Sequence, residues 1–143
     1  MGGPAPCPGD QGGAYRTRVP LAPGLHASAK LVVADADTAV AMRTGDVPVL
    51  ATPRVIALCE EAAIAAVTDE VPPGHTTVGM RVQVDHLAPT SVGSSVAAEA
   101  TLERVEGRRL TFTVTVNDAC GLVAAGKVTR VVVETDRFLD KAR

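Results

Sequence analysis

The chain has 143 residues, 46% of them apolar and only 2% aromatic, with a formal net charge of −2. That length suits one domain with a real core. With no block of Lys or Arg, no Trp, one Tyr and two Phe, it carries neither the charge footprint nor the stacking platform of a nucleic-acid binder.

Residues 1–20 are rich in Gly and Pro and are expected to form a disordered tail, because they cannot offset their ordering entropy by burial. Residues 21–143 are expected to form a single domain. The opening MGGPAPCPGDQGG lacks the apolar stretch of a signal peptide, and no apolar run approaches the roughly 18–20 residues that span a bilayer. Cys7, Cys59 and Cys120 show no C-x-x-C spacing, so they read as reduced thiols. A cytoplasmic protein without membrane attachment is expected.

His26–Ala34 reads as a first strand, followed by the acidic, ambiguous stretch DADTAVAMRTGDVP. Ala51-Thr52-Pro53 opens a helix, with Thr52 as N-cap and Pro53 at the first helical position. It runs to about Asp69, where Val71-Pro72-Pro73-Gly74 stops it. Being apolar around most of its circumference, it is expected to be buried rather than to lie on a surface. Four Val- and Thr-rich strands follow at His75–Leu87, Ser95–Val105, Arg108–Asp118 and Leu122–Thr135, punctuated by turn residues. In Leu110-Thr-Phe-Thr-Val-Thr-Val116, apolar residues face one side and threonines the other. The layout is α+β, a helix wrapped by a curled antiparallel sheet.

On a helical wheel Glu60 falls in an arc with Ile56, Ala57, Ala63, Ile64 and Val67, whereas Glu61 falls with Arg54 and Thr68. Glu61 is a solvated residue within reach of Arg54. A carboxylate on an apolar face costs several kcal/mol unless paired, so Glu60 is a candidate functional group, set against a helix-edge Glu that reaches water. Thr52 is ordinary cap grammar, yet it also puts a hydroxyl and free amides at a positive helix end suited to an oxyanion. His86 shares a strand face with Val82 and Val84, and reads as a core histidine or a catalyst. Asp85 points to the opposite face. His26 and His75 look peripheral, and the three His lack metal-ligand spacing. Gly79 admits close approach of a ligand.

The run from Ala51-Thr52-Pro53 through Leu58-Cys-Glu-Glu-Ala-Ala63 resembles the helix signature of the fluoroacetyl-CoA thioesterase-like family, which has the hotdog fold. Eight residues separate Thr52 from Glu60 and twenty-six separate Glu60 from His86, as in that family. Gly79, Val-Asp-His86, the Val105–Leu110 hairpin, Asp118, Gly126 and Arg130 fall in the same register. The similarity covers roughly residues 28–140. It implies a hotdog fold with a five-stranded antiparallel sheet, and Thr52, Glu60 and His86 as catalytic trio. It also implies the Gly79 amide near the substrate carbonyl and Arg130 near the site. The fluoroacetate-specific member carries phenylalanines before the helix as a lid over the acyl pocket. Here that segment, Met42–Leu50, has no aromatic residue, so a fluoroacetyl substrate does not follow.

The resemblance thus implies hydrolysis of a small acyl-CoA or acyl-carrier thioester, with no metal or cofactor and CoA arriving only as part of the substrate. Glu60 would be nucleophile or base, His86 would handle water and its proton, and Thr52 with the Gly79 amide would hold the oxyanion. Two rivals remain open: a hotdog hydratase or dehydratase using Asp85-His86, and a non-catalytic acyl-CoA-binding module. An open sheet edge predicts a homodimer or higher oligomer. Eight helical residues span roughly 12 Å, so Thr52 and Glu60 of one site are expected to come from different subunits.

Overall fold

The computed structural model describes residues 21–142, so the tail expected at 1–20 lies outside the described residues. Five strands and one long helix occur in the expected order. They are β1 (His26–Val32), α1 (Thr52–Val67), β2 (His75–His86), β3 (Ser95–Glu106), β4 (Arg109–Asp118) and β5 (Gly121–Glu134). A short terminal helix, α2 (Thr135–Asp140), was not expected; six residues are too few to show helical periodicity.

The strands form one antiparallel sheet in the order β1-β3-β4-β5-β2, leaving β1 and β2 as edges. Two tight turns set the register of its centre. Gly107 adopts φ 63° in the two-residue β3–β4 turn, a conformation that favours glycine. At the β4–β5 turn, Asp118 Oδ1 accepts from the amides of Cys120 (2.8 Å) and Gly121 (3.0 Å), mimicking a backbone turn. The alternation expected in β4 is present: Leu110, Phe112, Val114 and Val116 are fully buried beneath α1. Small residues let the layers approach, with Ala62, Ala63 and Ala66 of α1 and Ala98 and Ala100 of β3 all in the core.

Two expectations about α1 need correction. Ala51, in extended backbone, is the N-cap, and Thr52 is the first helical residue with Pro53 next. The Thr52 hydroxyl therefore makes no capping bond and is available for another partner. Nor is the helix buried all round. Val55, Leu58, Cys59 and Ala62 are buried, but Ile56, Ala57 and Glu60 are half-buried and Ile64 is 42% exposed. One sheet covers only one side of a helix, so Ala63 and Val67 of the arc around Glu60 are buried while Ile56, Ala57 and Ile64 stay partly or largely open within a single chain.

Between β1 and α1 the chain makes a short 3-10 turn (Asp35–Asp37) and then folds back on itself. Isolated bridges pair Thr38 with Leu50 and Val49 with Ser91, and Arg54 Nε donates to Asp37 Oδ1 at 3.2 Å. The loop is thereby tied both to the helix start and to the segment after β2. Among the described residues, no helix is long and apolar enough to cross a membrane.

Candidate active site

The register of β2 decides which of its side chains face the helix. Gly79 pairs with Arg130 and Arg81 with Thr129, so Met80 is a bulge residue without a partner on β5. A bulge inserts one residue and switches the facing parity of everything beyond it. Before it, Thr77 and Gly79 face inward; after it, Val82, Val84 and His86 do. An unbroken strand would put Gly79 and His86, seven residues apart, on opposite faces.

Within the chain the five candidate residues fall into two clusters. In the first, Thr52 Oγ1 lies 2.7 Å from His86 Nδ1. Nε2 of the same ring is buried and has no hydrogen-bond partner among the described residues. The heavy atoms fit either direction of the Thr52–His86 bond. If Nδ1–H donates to Thr52, Nε2 is a free acceptor; if the hydroxyl donates to Nδ1, the ring proton sits on Nε2.

In the second cluster, Arg130 Nη1 donates to Glu60 Oε1 at 2.6 Å, with the two side chains 7% and 29% exposed. Nε of Arg130 donates to Thr77 Oγ1 (3.0 Å) and Nη2 to the Thr77 carbonyl (2.9 Å). Burial pulls Arg130 below the ordinary guanidinium value and Glu60 pulls it back up. Such a group remains charged at working pH. Gly79 completes the cluster, because a Cβ there would lie 2.5 Å from Glu60 Oε1. Only glycine leaves room for the carboxylate. Thr77 was not among the candidate residues; its place two residues before Gly79, on the same strand face, is the signal that could have found it.

Glu61, as expected, turns away and pairs with Arg54 at 3.1 Å. Asp85 is exposed on the face opposite His86, which removes the acid that the hydratase reading leaned on. His26 and His75 face the carbonyls of Gly24 (3.2 Å) and Pro73 (3.0 Å) in their own turns.

Thr52 and His86 also line a cavity of about 330 Å³, whose other walls include Ala39, Val47, Val49, Leu50 and Leu87. A larger hollow of about 560 Å³, bordered by Lys30, Val32, Ser95 and Asn117, contains none of the five residues. Size alone does not mark the site.

A long helix wrapped by a curled five-stranded antiparallel sheet defines the hotdog fold. The sequence profile of the fluoroacetyl-CoA-specific thioesterase family matches residues 33–136. The chain belongs to that family, whose activity is acyl-CoA thioester hydrolysis. It is 34% identical over 95 residues to the fluoroacetyl-CoA thioesterase of Streptantibioticus cattleyicolor, covering 66% of this chain and 68% of that one. A solved structure of a fluoroacetyl-CoA thioesterase superposes with a TM-score of 0.80 at 28% identity, covering 85% of this chain and 94% of that one. A hot-dog-like protein from Thermanaerovibrio acidaminovorans superposes at 0.77 with 30% identity, covering 83% and 88%. One variant of the fluoroacetyl-CoA thioesterase was solved in complex with acetyl-CoA.

Proposed function

We propose that residues 21–143 act as one thioesterase domain that cleaves an acyl-CoA with Thr52, Glu60 and His86 as catalytic residues. Gly79 and Arg130 hold the carboxylate and the substrate carbonyl. The observation that carries this reading is the Glu60 carboxylate, held against Gly79 by a buried Arg130. A charge so placed has no part in the hydrophobic core, and its guanidinium partner is itself fixed by Thr77.

The chemistry needs a nucleophile, a site for the developing oxyanion and a proton for the leaving thiolate. With Nδ1–H of His86 donating to Thr52 Oγ1, the Thr52 hydroxyl is free to donate to the oxyanion, and Nε2 accepts a proton from water. In direct attack, the water oxygen bonds the acyl carbon, its proton passes to Nε2, the C–S bond breaks and the proton moves on to the CoA thiolate. In the covalent route, Glu60 attacks first, releasing the thiolate, and water then hydrolyses the mixed anhydride. Neither route calls on a resident metal or cofactor, and CoA enters as part of the substrate.

The site we infer is shared between two subunits. Along α1 the two clusters are roughly 12 Å apart, and along β2 Gly79 and His86 are roughly 23 Å apart. Both separations exceed what one thioester carbon can bridge. The free β2 edge, exposed Ile64 and the half-buried Ile56 and Ala57 offer the surface for a homodimer in which Thr52 and His86 of one protomer meet Glu60, Gly79 and Arg130 of its partner. Free Cys59 and Cys120 suit the reducing cytoplasm.

The test is thiol release from a panel of acyl-CoAs, read beside the absorbance of an enoyl-CoA. Release of CoA thiol dependent on Glu60 and His86 supports hydrolysis. Loss of the enoyl chromophore without thiol points to a hydratase, and binding without turnover points to a non-catalytic module.

A further inference from the structure

Among the described residues Arg130 is the only buried charged one, 6% exposed. Its side chain is long and flexible, so something must fix where its fork points. We propose that Thr77 is the positioning residue that does so, gripping the Arg130 guanidinium by hydroxyl and carbonyl and thereby seating the Glu60 carboxylate for thioester hydrolysis. That role rests on the thioesterase reading above; the grip itself does not.

Thr77 lies on β2 opposite Val132, and Arg130 lies on β5 opposite Gly79, so the guanidinium reaches Thr77 diagonally across the strand pair. Both bonds leave from one edge of the fork: Nε donates to Thr77 Oγ1 at 3.0 Å and Nη2 to Thr77 O at 2.9 Å. Two bonds to one residue define a plane, where a single bond would leave a pivot. Nη1, outside that edge, is left for Glu60 Oε1 at 2.6 Å. Glu60 has no other hydrogen-bond partner among the described residues, and its side chain is 29% exposed. Without a fixed Nη1 the carboxylate is free to swing toward water and leave the space over Gly79.

The grip is half backbone and half side chain. Removing the hydroxyl leaves the Thr77 carbonyl in place but orphans a buried Nε–H. The fork then turns about the remaining bond and carries Nη1 away from Glu60. Displacing a reacting group by about 1 Å is enough to cost up to about a hundredfold in rate. Thr77, Arg130 and Glu60 belong to one chain, so the grip is the same whichever subunit supplies Thr52 and His86.

Val keeps the shape of Thr77 without its hydroxyl, and Ser keeps the hydroxyl. In the full-length protein, Thr77→Val should lower kcat and kcat/KM together by at least about tenfold with KM within about twofold, a loss felt in the transition state alone. Thr77→Ser should stay within about threefold of wild-type kcat/KM. In an Arg130→Met background, where no fork remains to grip, Thr77→Val should cost less than about twofold more. Proton exchange at Arg130 Nε–H, a signal identified by its loss in Arg130→Met, gives a readout apart from activity. It should be at least about tenfold faster in Thr77→Val than in the wild-type protein. Thr77→Ala repeats each measurement if the valine variant fails to fold. Wild-type kcat per folded molecule in Thr77→Val, a rise in KM alone, or the same loss in the Arg130→Met background overturns the proposal. So does unchanged Nε–H exchange. Slow exchange in the wild-type protein and fast exchange in Thr77→Val, with no thiol released from any acyl-CoA, would sink the thioesterase reading and leave the grip on Glu60 standing.

Discussion

Arg130 Nη1 sits 2.6 Å from Glu60 Oε1 across the gap between β5 and α1, while the rest of the guanidinium is held by Thr77. The pair ties the helix to the sheet at the one inward carboxylate the site uses, and it makes Glu60 and Arg130 interdependent.

Removing the cation is therefore expected to harm activity more than fold. Arg130→Met leaves Glu60 half-buried and unpaired, which costs about 1–3 kcal/mol of stability. Its kcat/KM should fall at least about a hundredfold. Arg130→Lys restores charge but not the planar fork that reaches Thr77 and Glu60 together, so only partial recovery is expected. Full activity in Arg130→Met would remove Arg130 from the site.

Glu60→Gln should nearly abolish thiol release while its melting temperature stays within a few degrees of wild type. Glu61→Gln should leave both almost unchanged, because the Arg54–Glu61 pair is half in solvent and such pairs are worth about 0–1 kcal/mol. Comparable losses from both changes would show that the two carboxylates do not differ in role.

Gly79→Ala is a steric probe of the carboxylate. The added methyl group collides with Oε1 of Glu60, the mobile end of a side chain, so the fold should tolerate it. We expect kcat/KM to drop more than about tenfold with less than about 1 kcal/mol lost from stability. An unchanged kcat/KM would mean that Glu60 need not rest on Gly79.

Mixed dimers test the shared site. Thr52→Ala and Glu60→Gln proteins, each inactive, are unfolded together and refolded. If Thr52 and Glu60 of one site come from different subunits, each heterodimer has one intact site, and random pairing restores about a quarter of wild-type activity. If both come from the same chain, the mixture stays inactive.

Burial, and secondarily the charge of Glu60, pushes the Cys59 thiol from 9.0 up to about 11. At pH 8 iodoacetamide should modify exposed Cys120 and spare Cys59, as read by peptide mass mapping. The folded pKa is raised, so its contribution to stability is complete below pH 9. It is lost as pH rises towards 11, where the unfolded thiol ionises first. Between pH 8.5 and 10.5, wild-type protein should lose about 2 kcal/mol more than Cys59→Ala. Parallel curves for the two would show that Cys59 titrates normally.

Much of this arrangement is legible in the chain alone. Period-3.6 patterning separates Glu60 from Glu61 and puts Arg54 beside Glu61; period-2 patterning aims Leu110, Phe112, Val114 and Val116 at one face. Pro72-Pro73-Gly74, Glu106-Gly107 and Asp118–Gly121 mark where elements stop. These are local properties, set by backbone sterics and by the cost of leaving apolar side chains in water. The cap was misplaced by one residue because Ala51 or Thr52 before Pro53 satisfies the same local rules.

What the tertiary structure decided is which distant groups meet. The bulge at Met80 turns Gly79 and His86 to the same side, and no residue type demands it; it is a property of the register in which β2 pairs with β5. Thr77 became part of the site only because Arg130 lies opposite Gly79, and the Thr52 hydroxyl found His86 only because the end of β2 passes the start of α1. Residues 34, 53 and 70 positions apart are brought together by strand register and helix crossing, which depend on the packing of the whole sheet rather than on any segment's own preference.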